Sequence, residues 1–422
     1  MPGKTHVLVV GTTADYIDWI RNSYPEQALF LTEPHVRRQA KEPCPSPTEE
    51  ILCSLDDDSH CRQLLDQHLK RYGFSLDGVA CFDCESMELA ARLARHYQLP
   101  YPSVAAVNNC HNKDVAKRLW RSHHLQTPKA RAVGTREEAV AFFEELGSAC
   151  VLKPICGSGS EFVYYCDSPR SCGQNFELIR QGLARRRNDP LYKHLPVDGP
   201  QILVEEYIAG DEYSCDFLLE NQSAQIIRLT RKIVSSDSAF GTARGYLLTS
   251  AVPAPIGSID RLHDVLYRSA TALGLARAIC MLDFMIFEGR VVLLELAPRP
   301  GGDCLPFLLR RGCDLDILKL FLDFCRQRPL QWKPFSDSRA FLAMRLHADR
   351  SGILRKIDRQ RLEQDARVRE IHLTRQPGHR IKMPPQDYDS WLLGHIIFEP
   401  DVADTVEAQC LALLDKLIVE VE

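Results

Sequence analysis

MLDFMIFEGRVVLLELAPRPGGD, residues 281–303, consists of two apolar runs on either side of Glu288-Gly289-Arg290, and each run carries one acid. Apolar runs flanking a short polar break with glycine predict a β-hairpin. Asp283 and Glu295 stand equally far from Gly289, six residues on either side. A three-residue loop centred on that glycine therefore sets them opposite each other on one face, with Cβ atoms about 4.5–5.5 Å apart. A two-residue loop would break that register. Carboxylates so placed repel, and burying either without compensation is costly. Nothing in a purely structural hairpin relieves this, whereas a divalent cation between them does. Hard oxygen donors suit magnesium, which takes one or two carboxylates and fills its remaining positions with nucleotide phosphates.

Two stretches upstream fit the same ligand. In VLKPICGSGSEFV (151–163), Lys153 ends an apolar strand and is followed by Gly157, Ser158, Gly159 and Ser160. Glycines let backbone N–H groups surround phosphate oxygens, and a lysine adds a point charge. No Gly-Lys-Ser/Thr follows and the next element reads as a strand, so this is not a Walker loop. A plain hairpin turn with an exposed lysine explains it equally well. In ILVEEYIAGDEYSCDF (202–217), a strand ends in Glu205 and Glu206, then Tyr207 and Ile208, with Glu212 beyond a glycine turn. Each signal alone is ordinary. Their order and separation strengthen all three.

The rest of the chain sets the frame. A length of 422 residues exceeds one compact core and predicts two or three subdomains. A formal charge of −4 gives no basic excess for nucleic acid or an anionic membrane. No apolar run reaches the roughly 18 residues of a membrane span. The start, MPGKTHVLVVG, runs into a short strand without a secretory layout. Sixteen scattered cysteines, with one C-x-x-C at Cys81 and Cys84 and no second pair, predict reduced, buried thiols in a cytoplasmic protein. HVLVVG, ALFLTE and GVACFD alternate with helical patterns such as 85–99, which is βαβ patterning and a parallel sheet. Gly11-Thr12-Thr13 is not a G-x-G-x-x-G, so a dinucleotide fold reads weakly. Helices are expected near 113–124 and over 139–146. From 149 onward short strands with glycine turns follow, and CLALLDKLIVEV ends the chain as helix or strand. Stretches 188–200 and 328–337 read as loops or linkers.

The chain resembles the ATP-grasp ligases, on "NK" (112–113), VLKPICGSGS, LVEEYIAGDEY and DFMIFEGRVVLLELAPRPGG. The branch nearest in pattern is the L-amino acid (dipeptide) ligases, also similar at 78–102, GILRKID and LLGHII. The resemblance implies a mixed α/β and α+β architecture. It comprises an N-terminal parallel α/β domain (1–105), two ATP-grasp α+β subdomains (106–200 and 201–330), and a small C-terminal α/β unit (338–422). It implies that Lys113 and Lys153 contact ATP phosphates under the 157–160 loop. Glu205, Glu206, Tyr207 and Ile208 frame the adenine, Glu206 and Ile208 largely through backbone groups, and Glu212 holds the ribose. Asp283 and Glu295 carry Mg²⁺ or Mn²⁺, and Arg299 faces the transferred phosphate. The second metal strand here reads Glu-Leu-Ala-Pro-Arg where the family commonly has Glu-x-Asn-x-Arg. Ala297 leaves open whether one or two metals bind.

The implied reaction is carboxylate–amine ligation through an acylphosphate, with ADP and phosphate as products. Its partners are a small carboxylate and an amine of amino acid type, with no nucleic acid and no membrane; homodimerisation is left open. Such chemistry needs positioning and charge neutralisation rather than a protein nucleophile. Arg231, Lys232, Arg244, Arg310 and Arg311 are candidates for substrate carboxylates, because arginine binds them bidentately, in a pocket formed by 231–251 and the segment after Gly302. Other ATP-grasp ligases or carboxylases, of purine-pathway or biotin-carboxylase type, share the nucleotide residues. A non-catalytic nucleotide-binding protein is the remaining alternative.

Overall fold

The computed structural model describes residues 4–193, 195–234 and 239–422. At the N-terminus four parallel strands lie in the order Glu50–Leu52, Ala28–Thr32, Thr5–Val10, Ser75–Ala80. Val7 to Val10 are buried on both faces, which is why HVLVV is continuously apolar rather than alternating. The helices Ala14–Ser23, Asp58–Tyr72 and Met87–His96 cover this sheet.

A second sheet, antiparallel throughout, has the order Ala130–Val133, Ile202–Glu206, Cys150–Pro154, Tyr164–Cys166. The helices Arg136–Leu146 and Pro169–Arg185 pack on it. The first has a Thr135/Glu138 capping box and ends at left-handed Gly147, so the expected helix over 139–146 is present with both termini satisfied. The strand Ile202–Glu206 thus completes the sheet of the first subdomain, and a boundary at 200 is displaced by one strand.

The third sheet has eight strands in the order Arg290–Ala297, Ala278–Phe287, Asp211–Glu220, Ser223–Val234, Ala243–Thr249, Leu342–His347, Leu392–Phe398, Val368–Leu373. The last three come from the C-terminal unit, joined through the pairing of 245–247 with 342–344. The segment 338–422 therefore extends the sheet that carries the hairpin of Asp283 and Glu295, instead of standing apart. Pairing between strands a hundred residues apart leaves no local pattern in the sequence. The terminal stretch forms both the helix Val406–Leu414 and the strand Ile418–Val421. No described helix is long and apolar enough to cross a membrane. All sixteen cysteines are free, and all but Cys44, Cys84 and Cys313 are buried.

Candidate active site

The hairpin holds Asp283 directly opposite Glu295, but by a different route from a three-residue loop. The turn is Glu288-Gly289, with φ 48° and 72° and Phe287 paired to Arg290; two left-handed residues in succession are typical of two-residue hairpin turns. Such a turn alone misaligns the acids by one residue. A bulge at Leu294 restores the pairing.

The acids border a cavity of about 400 Å³ between the second and third sheets. Lys232 Nζ lies 2.6 Å from Asp283 Oδ2 and 2.6 Å from Glu212 Oε1. Lys113 Nζ lies 3.2 Å from Glu295 Oε1 and donates to the Gly157 carbonyl at 2.8 Å. The repulsion read from the hairpin is therefore relieved by two lysines, a correction to the view that only a metal repays it. The lysines come from a helix start and a strand distant in sequence, so the hairpin could not reveal them. Asp283 Oδ1 remains buried without a partner. That free oxygen, on the residue paired with Glu295 in a lysine-lined cavity, fits a hard cation whose remaining ligands come from phosphate. Among the described residues there is no cluster of three or more His, Cys, Asp or Glu that would enclose a metal alone.

Of the small-residue loop 157–160, Gly157, Ser158 and Ser160 line the cavity, and Gly159 is exposed. Lys153, Glu206, Tyr207 and Ile208 line it too. Glu205 lines the cavity as well. Its buried carboxylate contacts Lys153 Nζ and lies 2.9 Å from Lys117 Nζ, so it also holds two lysines in place. Lys117, fully buried, was missed by sequence reasoning. Its Nζ donates to the Leu294 carbonyl at the bulge, 3.2 Å away. Burial lowers it to about 8, against the pull of Glu205 and with the push of Lys153. Lys113 and Lys117 are one helical turn apart, and that spacing is the signal that was present.

Beyond Glu295 the chain reaches Arg299, which is not among the residues lining the cavity. Its Nη1 donates to the Pro300 carbonyl at 2.9 Å and its Nη2 to Cys84 Sγ at 3.3 Å. Burial works against its charge, but Cys84, Glu85 and Asp83 outweigh that and raise it. Asp83 accepts from Ser86 N–H at 2.7 Å at the start of the helix Met87–His96. Burial, and then Asp83, push Glu85 up to about 7. The acids of the 83–85 turn were not anticipated as site residues; a CFDCE strand-to-helix turn was the available sign. The loop after Arg299 is fixed by Asp216 Oδ1, which accepts from Gly301 N–H at 3.1 Å while its carboxylate pairs with fully buried Arg228.

The remaining arginine candidates are not brought to the cavity. Arg231 alternates with inward Lys232 and lies 3.2 Å from Glu407. Arg310 and Arg311 pair with Glu370, Arg310 also lying over Trp19, and Arg244 lies near His347 and Cys410. Of the anticipated lining 231–251, residues 235–238 fall outside the described ones. After Gly302, Asp303 makes a 3.0 Å ion pair with Arg345 of the C-terminal unit, and Tyr246 pairs across from Lys232.

Residues 146–306 match the family model of the ATP-grasp domain. This is an ATP-grasp domain. Over its whole length the chain is similar in fold to several solved structures. The L-amino acid ligase of Bacillus licheniformis covers 100% of both chains with a TM-score of 0.77 at 18% identity. Phosphoribosylglycinamide synthetase of Anaerococcus prevotii covers 99% of this chain and 100% of its own, with a TM-score of 0.64 at 17% identity. N5-carboxyaminoimidazole synthase of Aspergillus clavatus, in complex with ADP and its ribonucleotide, covers 98% of both at 0.66 and 13%. By sequence, the chain is 26% identical over 290 residues to the uncharacterized protein y4rH of Sinorhizobium fredii, 68% of this chain and 56% of that one. The match thus spans about half the length of that curated relative.

Proposed function

We propose that this ATP-grasp protein is a carboxylate–amine ligase acting on amino acids, with ATP as co-substrate. The carrying observation is the charge layout along one strand. Glu295 lies in a cavity with three lysines, and four residues on Arg299 is half-buried beside the acids of the 83–85 turn. A guanidinium flanked by carboxyls complements a zwitterion, Arg299 taking the α-carboxylate and Glu85 the ammonium. Lys113 and Lys153 would hold the nucleotide phosphates and Glu212 the ribose, with Asp283 and Glu295 as metal ligands. Magnesium, or manganese, would supply charge neutralisation at the phosphates. Arg299 would then hold the acid's carboxylate for phosphorylation by ATP, giving an acylphosphate. The amine's nitrogen forms the amide bond as the phosphate–carbonyl bond breaks. Tyr246, Asp303 and Arg345 would border the amine side.

The test is phosphate release from MgATP across pairs of amino acids, with mass spectrometry of the products. A dipeptide with ADP and phosphate supports the reading. AMP with pyrophosphate, or turnover driven by bicarbonate alone, overturns it.

A further inference from the structure

Two residues in the phosphate loop have backbone conformations that side chains rarely adopt: Ser160 at φ 61° and Phe162 at φ 55°. For a bulky aromatic residue this is strained unless its surroundings hold it. The Phe162 ring, 3% exposed, is held from several sides. Arg186 lies over it at 5.2 Å, and Tyr388 of the C-terminal unit meets it edge-on at 5.5 Å. Below it lies Gly182, inside the helix Pro169–Arg185. A Cβ at 182 would sit 2.6 Å from Phe162 Cζ. Glycine within a helix is less favourable than alanine, and here the missing methyl is the space the ring fills. Glu161 reinforces the dock by contacting Arg186 and accepting from Tyr192 Oη at 2.8 Å. Tyr192 in turn backs Gly157, whose Cβ would lie 3.2 Å from its ring. In front, Ser160 Oγ donates to the Gly241 carbonyl at 2.8 Å.

We propose that Phe162 is a positioning residue for the nucleotide: its ring, docked in the Gly182–Arg186–Tyr388 socket, holds the 157–160 loop in its phosphate-binding shape. The ring touches no nucleotide. It acts through the backbone of the loop that lines the cavity, so the inference rests on the nucleotide reading of that cavity. It also couples the C-terminal unit to the phosphate site, because Tyr388 forms one wall of the socket.

Three variants test this: Phe162→Gly, Gly182→Ala and the double variant, with MgATP affinity measured by calorimetry and hydrogen exchange measured over 157–162. Glycine at 162 adopts the same φ without strain and removes only the ring. Alanine at 182 favours the helix and evicts the ring. Each single change is expected to weaken MgATP binding about tenfold and to speed exchange in the loop, with melting temperatures lowered by about 3–5 °C through loss of the buried ring's packing. The double variant should be no worse than Phe162→Gly, because without the ring the new methyl has room. Affinity within about twofold of wild type in Phe162→Gly, or effects that add in the double variant, overturns the anchor alone. Wild-type protein that binds no MgATP overturns the nucleotide reading and the anchor with it.

Discussion

Glu85→Gln should raise stability while removing activity, and the size of the gain follows from the site. The Glu85 carboxyl is pushed from 4.5 to about 7, first by burial and then by Asp83. Between those values the folded protein binds a proton that the unfolded chain has released. Its stability therefore falls as pH rises through the window. At about 1.36 kcal/mol per unit the full shift amounts to ~3 kcal/mol, or about 2 kcal/mol once partial exposure is discounted. Glutamine has the same shape and no charge to desolvate. For a chain of this length the gain corresponds to a melting midpoint about 2 °C higher at pH 8, shrinking as pH falls towards 4.5. Paired melts of wild type and variant from pH 4.5 to 8, with turnover measured alongside, read both quantities. If Glu85 holds the substrate ammonium, wild-type kcat/KM for the amino acid should rise with pH through about 7, as the carboxylate forms. A variant less stable than wild type at pH 8, or a gain independent of pH, refutes the argument. Unchanged turnover would leave Glu85 outside the substrate site.

Other outcomes can be checked with the same preparations. Lys153→Ala should nearly abolish MgATP turnover yet keep the fold, because Lys117 still pairs with Glu205; wild-type kinetics would return 151–160 to an ordinary hairpin. Asp283→Asn should lose most activity while its metal-free stability stays within about 1 kcal/mol of wild type, because Lys232 keeps Glu212. Glu295→Gln should cost more without metal, on the order of 2–3 kcal/mol, because Lys113 is buried and keeps only the Gly157 carbonyl. Equal melting temperatures for the two amide variants would count against the lysine pairing. Lys117→Met should stabilise the protein less at pH 9 than at pH 6. Its depressed value, about 8, means the unfavourable charge is fully present below 8 and relieved above it. A pH-independent effect would place Lys117 in a solvated setting.

Local pattern was enough for the hairpin, the strand-ending lysine with its small-residue loop, and the parallel character of the N-terminal sheet. In each of these the governing interaction lies within about thirty residues, or a periodicity records it directly. The opposition of Asp283 and Glu295 was also legible, although the bulge at Leu294 that secures it was not. What compensates the acids was decided by tertiary structure alone: Lys232 arrives from a strand fifty residues away, and Lys113 from a helix start nearly two hundred away. The same holds for Arg299, whose guanidinium meets Cys84 of the N-terminal domain, and for Phe162, whose socket is completed by Tyr388. A charge or a ring in sequence is a demand for a partner, and any of many residues can meet it. Which one does depends on strand order and domain packing, and these arise from the sum of many weak contacts rather than from a motif.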